Sequence, residues 1–241
     1  DLIYCTVSGF GQEGAYAQNP ASDTIIQAMS GLMSLVGEAD GPPMRVGFPL
    51  VDMTAANYAV QSILLSLYGR QHGHGGANID VSLMAAALGL MTAGYTRYMA
   101  SGEVPLRQGN QNKTLAPAGA YQGSDGRYFT IAILRDSHWL KLCAALELNA
   151  LADDPAYATN AKRVALRAEL DAIIVPLFAG QPTDYWLKRL QAADILCGPI
   201  NTYADIANDP NLAAQLPFVS AMTPGVSQAV GVPIRRDGDY N

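Results

Sequence analysis

From Thr54 to Tyr68 the chain runs without Gly or Pro, and Tyr58, Ile63, Leu64, Leu65 and Leu67 make it apolar round most of a helical wheel. Such a stretch reads as a long helix buried on most sides. Short β-rich runs, Leu2 to Val7 and Ile79 to Leu83, stand before and after it. Strands alternating with helices are the pattern of an α/β fold. The helix follows Gly47-Phe48-Pro49-Leu50-Val51-Asp52-Met53, and Asp52 is the last charge before Arg70. A carboxylate at this junction has two readings. It can cap the helix, accepting backbone N–H bonds at the positive end of the dipole. It can also be a nucleophile in a partly desolvated pocket, aimed at an acyl carbon. Spacing leaves both open, with the cap the commoner arrangement.

Hydrophobic residues make up 49% of the 241 and charged residues 15%, the balance of a globular chain with a substantial core. Net charge is -6 and no Lys/Arg run occurs, so nucleic acid is not an expected partner. An anionic ligand has to be held by local groups. Cys5, Cys143 and Cys197 are far apart and odd in number, which fits a reducing cytoplasm better than a disulfide framework. No apolar stretch reaches membrane-spanning length. The chain lacks an initiator Met and opens inside an expected strand, so it reads as a piece of a longer protein without a signal peptide.

Along the chain, Gly9-Phe10-Gly11-Gln12-Glu13-Gly14 matches a dinucleotide-binding pattern in letters only. The following Ala15 to Pro20 reads as irregular chain, not the required helix. Ser22 and Asp23 read as a cap and first turn for a helix carrying Ile25, Ile26, Met29, Leu32 and Met33 and ending at Gly37. His72 and His74 lie in a Gly-rich loop with no third ligand nearby, and no metal site is expected. Met84 to Met99 reads as one long apolar helix. Composition shifts near Pro105, giving a large domain over 1–104 and a polar connector over 105–119. Beyond it, Ser124-Asp125-Gly126 between two β-rich runs is a hairpin signature. Asp136 and Thr183 read as helix caps, with Trp139, Leu142, Cys143 and Leu146 on one buried face. A second apolar helix carries Val164 to Ile174, and Ile195 to Ile200 reads as a buried strand. Residues 120–207 therefore form a small α+β domain, and 208–241 a return segment toward the large domain whose polar end, Arg235 to Asp239, frays. With no Ser-His-Asp arrangement and no His/Cys cluster, chemistry falls to carboxylates, and Asp23 and Asp52 are the two beside Gly-rich loops.

These segments resemble the class III CoA-transferases of the CaiB/BaiF type, the family that also contains the α-methylacyl-CoA racemases. The resemblance runs through Ser8 to Gln12, Pro20 to Asp23, Gln27 to Met33, Gly37-Glu38, Gly41 to Pro43 and Gly47 to Asp52. It continues through Gly73 to Gly75, Asp80 to Leu83, Gly109-Asn110, Asp125-Gly126, Leu151 to Pro155, Ala158 to Asn160 and Cys197 to Pro199. It implies a parallel-sheet, Rossmann-like large domain, here present in part, plus the small α+β domain. It implies Asp52 as nucleophile, forming an acyl anhydride and then an aspartyl-CoA thioester, with a Gly-rich loop able to steady oxyanions. It implies CoA contacts at Gly9, Phe10, Gly11, Gln12, Ala21 and Leu83, with no metal and no tightly bound cofactor. The substrates implied are an acyl-CoA and a carboxylic acid, and the assembly an intertwined homodimer, cytoplasmic and not membrane-bound.

Four departures stand out. Racemases of the family place a His where this chain has Ser22, a poor general base, which leaves Asp23 as a cap for its own helix. Leu134-Arg135 replaces the usual Gly-Asn pair of a site-closing loop, and Ala85 an expected Asp. His72-Gly73-His74-Gly75-Gly76 departs from a Thr-Gly-x-Gly-Gln run. Relatives also carry an N-terminal portion that supplies most of the groove for the CoA nucleotide. The expected function is acyl-CoA:carboxylate CoA-transfer; a racemase and a catalytically silent assembly partner are the alternatives.

Overall fold

The structure, a computed structural model, describes residues 1–215, 217–221, 225, 228–236 and 239–240. It divides into two compact units, Asp1–Asn112 and Lys113–Asn241, the division falling inside the connector.

The first unit is built on two parallel strands. β1 (Ile3–Ser8) and β2 (Ala77–Ser82) pair in register from Ile3 opposite Ala77 to Ser8 opposite Ser82. The crossover between them holds α1 (Asp23–Met29), a 3₁₀ turn (Leu32–Ser34) and α2 (Leu50–Gln71). This is the α/β pattern expected of the strand and helix runs. Ala55 and Ala59 of α2 are small enough to sit directly on the sheet against Val81, with Cys5, Ile79 and Leu83 around them. A second cluster joins Ile26, Val51 and Ala87 to Phe10, Leu32, Leu83 and Met84.

In this unit four elements differ from the sequence reading. Expected to end at Gly37, α1 ends at Met29, and Gly31, at φ 88°, turns the chain into the 3₁₀ segment. The α2 helix runs through Gly69 to Gln71 and buries only Val51, Ala55 and Ala59; Leu64, Leu65 and Tyr68 are exposed, so it is not enclosed on most sides. The expected single helix from Met84 is two, α3 (Leu83–Leu90) and α4 (Thr92–Ser101). They part at Met91, beside a Gly89 carbonyl that accepts from the Thr92 hydroxyl at 2.7 Å. The strand before α3 starts at Ala77 and stops at Ser82, whose hydroxyl accepts from the Ala85 N–H at 3.1 Å and caps α3.

In the second unit β3 (Ala118–Gln122), β4 (Tyr128–Ala132) and β5 (Leu196–Pro199) form an antiparallel sheet in that order. The β3–β4 hairpin turns at the expected Ser124–Gly126. α5 (Asp136–Leu146), α6 (Asn149–Ala152), α7 (Asn160–Ala165), α8 (Arg167–Phe178) and α9 (Thr183–Ala192) complete the core. Trp139, Leu142, Cys143 and Leu146 are buried together as the helical spacing requires. Burial pushes the Cys143 thiol up to about 12 against the pull of Arg163, so it is packing and not a nucleophile. The expected buried strand at Ile195 is an edge strand: Ile195 is buried, Leu196 exposed.

Arg163, with no exposed surface, donates to the Ala116 carbonyl at 2.8 Å, the Tyr157 carbonyl at 2.9 Å and the Asp136 carboxylate at 2.8 Å. Neither Asp136 nor Thr183 caps its helix; Arg135 and Pro182 hold the cap positions. Short elements follow: α10 (Tyr203–Asn208), α11 (Pro210–Ala213), β6 (Phe218–Ser220) paired with β7 (Gln228–Val230), and Arg235–Arg236 paired with Asp239–Tyr240. The polar end therefore includes a bridged pair, while Asp237 and Gly238 of that stretch lie outside the described residues.

Candidate active site

Asp52 lies in the first turn of α2, but its side chain is not the helix cap. The cap position is Pro49, which has no N–H. Leu50 donates its N–H to the Phe48 carbonyl at 2.8 Å, and Met53 donates to Pro49 at 3.1 Å. The two remaining N–H groups, of Val51 and of Asp52 itself, both reach Oδ2 of Asp23, at 2.8 and 3.2 Å. Every donor at the head of α2 is thus satisfied by another residue. Among the described residues the Asp52 carboxylate accepts no hydrogen bond and joins no ion pair.

Asp23 is free to do this because Ser22, in extended backbone at φ −147°, caps α1 by accepting from Ile25 N–H at 3.5 Å. Asp23 therefore does not cap its own helix, as the sequence suggested; it caps α2. Its other oxygen accepts from Gln27 Nε2 at 2.5 Å, and Gln27 Oε1 accepts from the Val46 N–H at 2.9 Å. Gln27 has no exposed surface and both ends of its amide are used. Sequence reasoning gave Gln27 no role. The signal available was a polar residue one helical turn after Asp23, inside an otherwise apolar stripe.

The Gly-rich loop before α1 is fixed from several sides. A Cβ on Gly9 would stand 2.2 Å from Ala21 Cβ, so glycine is what lets the two segments touch. The Gly9 carbonyl accepts from Met84 N–H at 3.0 Å at the head of α3. Gly11 N–H donates to Ser8 Oγ at 3.0 Å and Gln12 N–H to Asp80 Oδ2 at 2.9 Å. Those two N–H groups are occupied and do not form an oxyanion hole in this arrangement. Phe10 packs against the cluster of Ile26, Val51 and Ala87, in which Val51 is next in sequence to Asp52.

Of the residues expected at CoA, the structure brings Gly9 against Ala21, and packs Phe10 and Leu83 against the same cluster of Ile26, Val51 and Ala87. Phe10, Gly11 and Gln12 line a groove of about 640 Å³ with Thr6, Glu13 and Asp80. Asp52 does not line it. The groove walls include Glu13 and Asp80 and no Lys or Arg, a poor lining for the phosphates of a nucleotide. Asp52 itself is exposed, so the described residues do not form the desolvated pocket expected around it. His72 turns its ring to the Tyr68 carbonyl, with Nδ1 at 2.8 Å, and among the described residues no three His, Cys, Asp or Glu groups gather as a metal site. No helix among them is long and apolar enough to cross a membrane.

A parallel β-α-β unit followed by an α+β unit is an architecture with solved counterparts. A CaiB/BaiF family protein from Brucella suis matches with a TM-score of 0.87 at 36% identity, over 98% of this chain and 61% of that one. The chain belongs to CoA-transferase family III, whose description it matches over residues 1–239. A succinate–glutarate CoA-transferase of Agrobacterium fabrum is 35% identical over 219 residues, which is 89% of this chain and 53% of that protein. An acetyl-CoA:oxalate CoA-transferase of Acetobacter aceti is 36% identical over 228 residues, 93% of this chain and 58% of its own. The chain thus spans a little over half the length of these curated relatives.

Proposed function

We propose that this chain carries the acyl-transfer centre of an enzyme that moves CoA between carboxylic acids, with Asp52 as its nucleophile. The observation that carries the reading is the Asp52 carboxylate, left without a hydrogen bond at a helix head whose donors are all taken by others. Asp52 Oδ attacks the thioester carbonyl of an acyl-CoA; the C–S bond breaks, leaving a mixed anhydride and CoA thiolate. The thiolate attacks the aspartyl carbonyl, the donor acid departs as carboxylate, and an aspartyl-CoA thioester remains. An acceptor carboxylate attacks that thioester and expels the thiolate. The thiolate then takes the new acyl group and frees Asp52.

The names of the relatives, acting on succinate, glutarate and oxalate, support small dicarboxylic acids as the substrate class. Nothing in the sequence calls for a tightly bound cofactor. An exposed nucleophile has to be covered to work in a low-dielectric site, and we assign that cover, with the seat for the CoA nucleotide, to further polypeptide in an intertwined homodimer. Three free thiols fit a cytoplasmic setting. A racemase is not favoured, since the Ser22 hydroxyl is engaged as a helix cap.

The test is incubation of the intact protein with succinyl-CoA and glutarate, trapping with hydroxylamine or borohydride, and mass spectrometry of the Asp52 peptide. Label at Asp52 is expected, and Asp52→Asn should slow exchange by on the order of 10³ or more. Exchange at the parental rate in that variant overturns the proposal.

A further inference from the structure

Building on that acyl-transfer reading, we infer that Asp23 is a positioning residue: it takes the backbone donors at the head of α2 so that the Asp52 carboxylate stays unbonded. An acidic side chain in a first helical turn ordinarily folds back onto the N–H groups of its own helix, where the dipole also favours it. In that state its lone pairs are shared and its charge is partly neutralised, the opposite of what attack on a thioester needs. Two features prevent it here. Pro49 at the cap position offers no N–H for the return bond of a capping box. Asp23 Oδ2 already holds both Val51 N–H and Asp52 N–H, at 2.8 and 3.2 Å.

Asp23 is held in turn. Gln27, fully buried, has its carbonyl pinned by Val46 N–H at 2.9 Å and therefore presents its NH₂ to Asp23 Oδ1, at 2.5 Å. Gln27 cannot turn over without setting donor against donor at Val46. The same amide ties down the start of the segment, Val46 to Pro49, that delivers Asp52. Asp23 must accept on both sides, so asparagine cannot replace it cleanly: one of its faces would meet a donor with a donor.

The experiment compares the intact parent with Asp23→Ala and Asp23→Asn, using succinyl-CoA and glutarate, and solves the Asp23→Ala structure. In Asp23→Ala, kcat is expected to fall on the order of 100-fold while KM for succinyl-CoA moves less than about threefold, the signature of a misplaced reacting group rather than lost binding. The Asp52 carboxylate is expected to turn onto the vacated N–H groups of Val51 and Asp52. Asp23→Asn should fall between the two. A variant with an altered melting temperature but unchanged kcat per folded molecule, or one whose Asp52 carboxylate stays where it was, overturns the inference. If the parent never acquires label at Asp52, the transfer reading fails, and the position of that carboxylate in Asp23→Ala alone decides the inference. Should Asp23→Ala not fold, Asp23→Ser, with a hydroxyl too short to hold both N–H groups, is read in the same way.

Discussion

Asp23, Asp136 and Thr183 each occupy the first position of a helix, and each binds a partner outside that helix instead of capping it. Asp23 bonds the head of α2, Asp136 bonds Asn160 N–H and Arg163, and Thr183 donates to Asp125. In sequence such residues look like caps, because a small polar residue before an apolar run is the usual cap signal. The shift of a single position changes what the side chain can reach, and sequence patterns fix helix ends only to within a residue or two. Asp52 was legible as a special carboxylate, but the identity of its neighbour was not. The donor–acceptor pair spans 28 residues of chain, beyond any local pattern. Gly9 shows the same limit, since its partner Ala21 is fixed only by the fold. Gly9→Ala is expected to cost about 1–3 kcal/mol through crowding against Ala21. Ala21→Gly in that background should recover most of the loss, measured by urea denaturation in a double-mutant cycle.

Among the elements, strands and their turns were read well, because Ser124-Asp125-Gly126 carries its own backbone requirement: Gly126 sits at φ 76°. Helix continuity was read less well. Met84 to Met99 is apolar enough to suggest one rod, and at the break at Met91 the Thr92 hydroxyl takes the Gly89 carbonyl, a local bond that competes with the helix ladder. The hairpin is fastened to α9 through Asp125 and Thr183. Desolvation works against the Asp125 carboxylate, but the Thr183 hydroxyl, with N–H bonds from Arg127 and Thr183, outweighs it and holds the carboxyl below its ordinary range. A carboxyl depressed in the folded state adds stability above its unfolded pKa, and that stability is lost as pH falls through the folded value. Thr183→Val should therefore be less stable than the parent at neutral pH. The pH-dependent part of that gap should close as pH drops below about 4, followed by urea midpoints across the range.

At the scale of the whole molecule, composition indicated a globular chain with a large core, and the second unit has one, from Ala116 to Ile195. The first unit does not match the enclosed helix that its apolar sequence suggested. Leu64, Leu65 and Tyr68 of α2 and Tyr95, Tyr98 and Met99 of α4 remain exposed. Apolar patterning records what a helix is covered by in the protein as it works, not which stretch of chain does the covering. The resemblance over nearly the entire length resolved the family where spacing alone left two readings of Asp52. The β1–β2 ladder carries a consequence of its own. Among the described residues no third strand pairs with β1 or β2, so the outer rail of each is without a mate, and a two-stranded ribbon is marginal by itself in water. Deuterium should enter the outward-facing amides of Ile3–Ser8 and Ala77–Ser82 quickly when this span is produced alone. Any further strand that pairs with those edges should slow the exchange of the same amides, rung by rung.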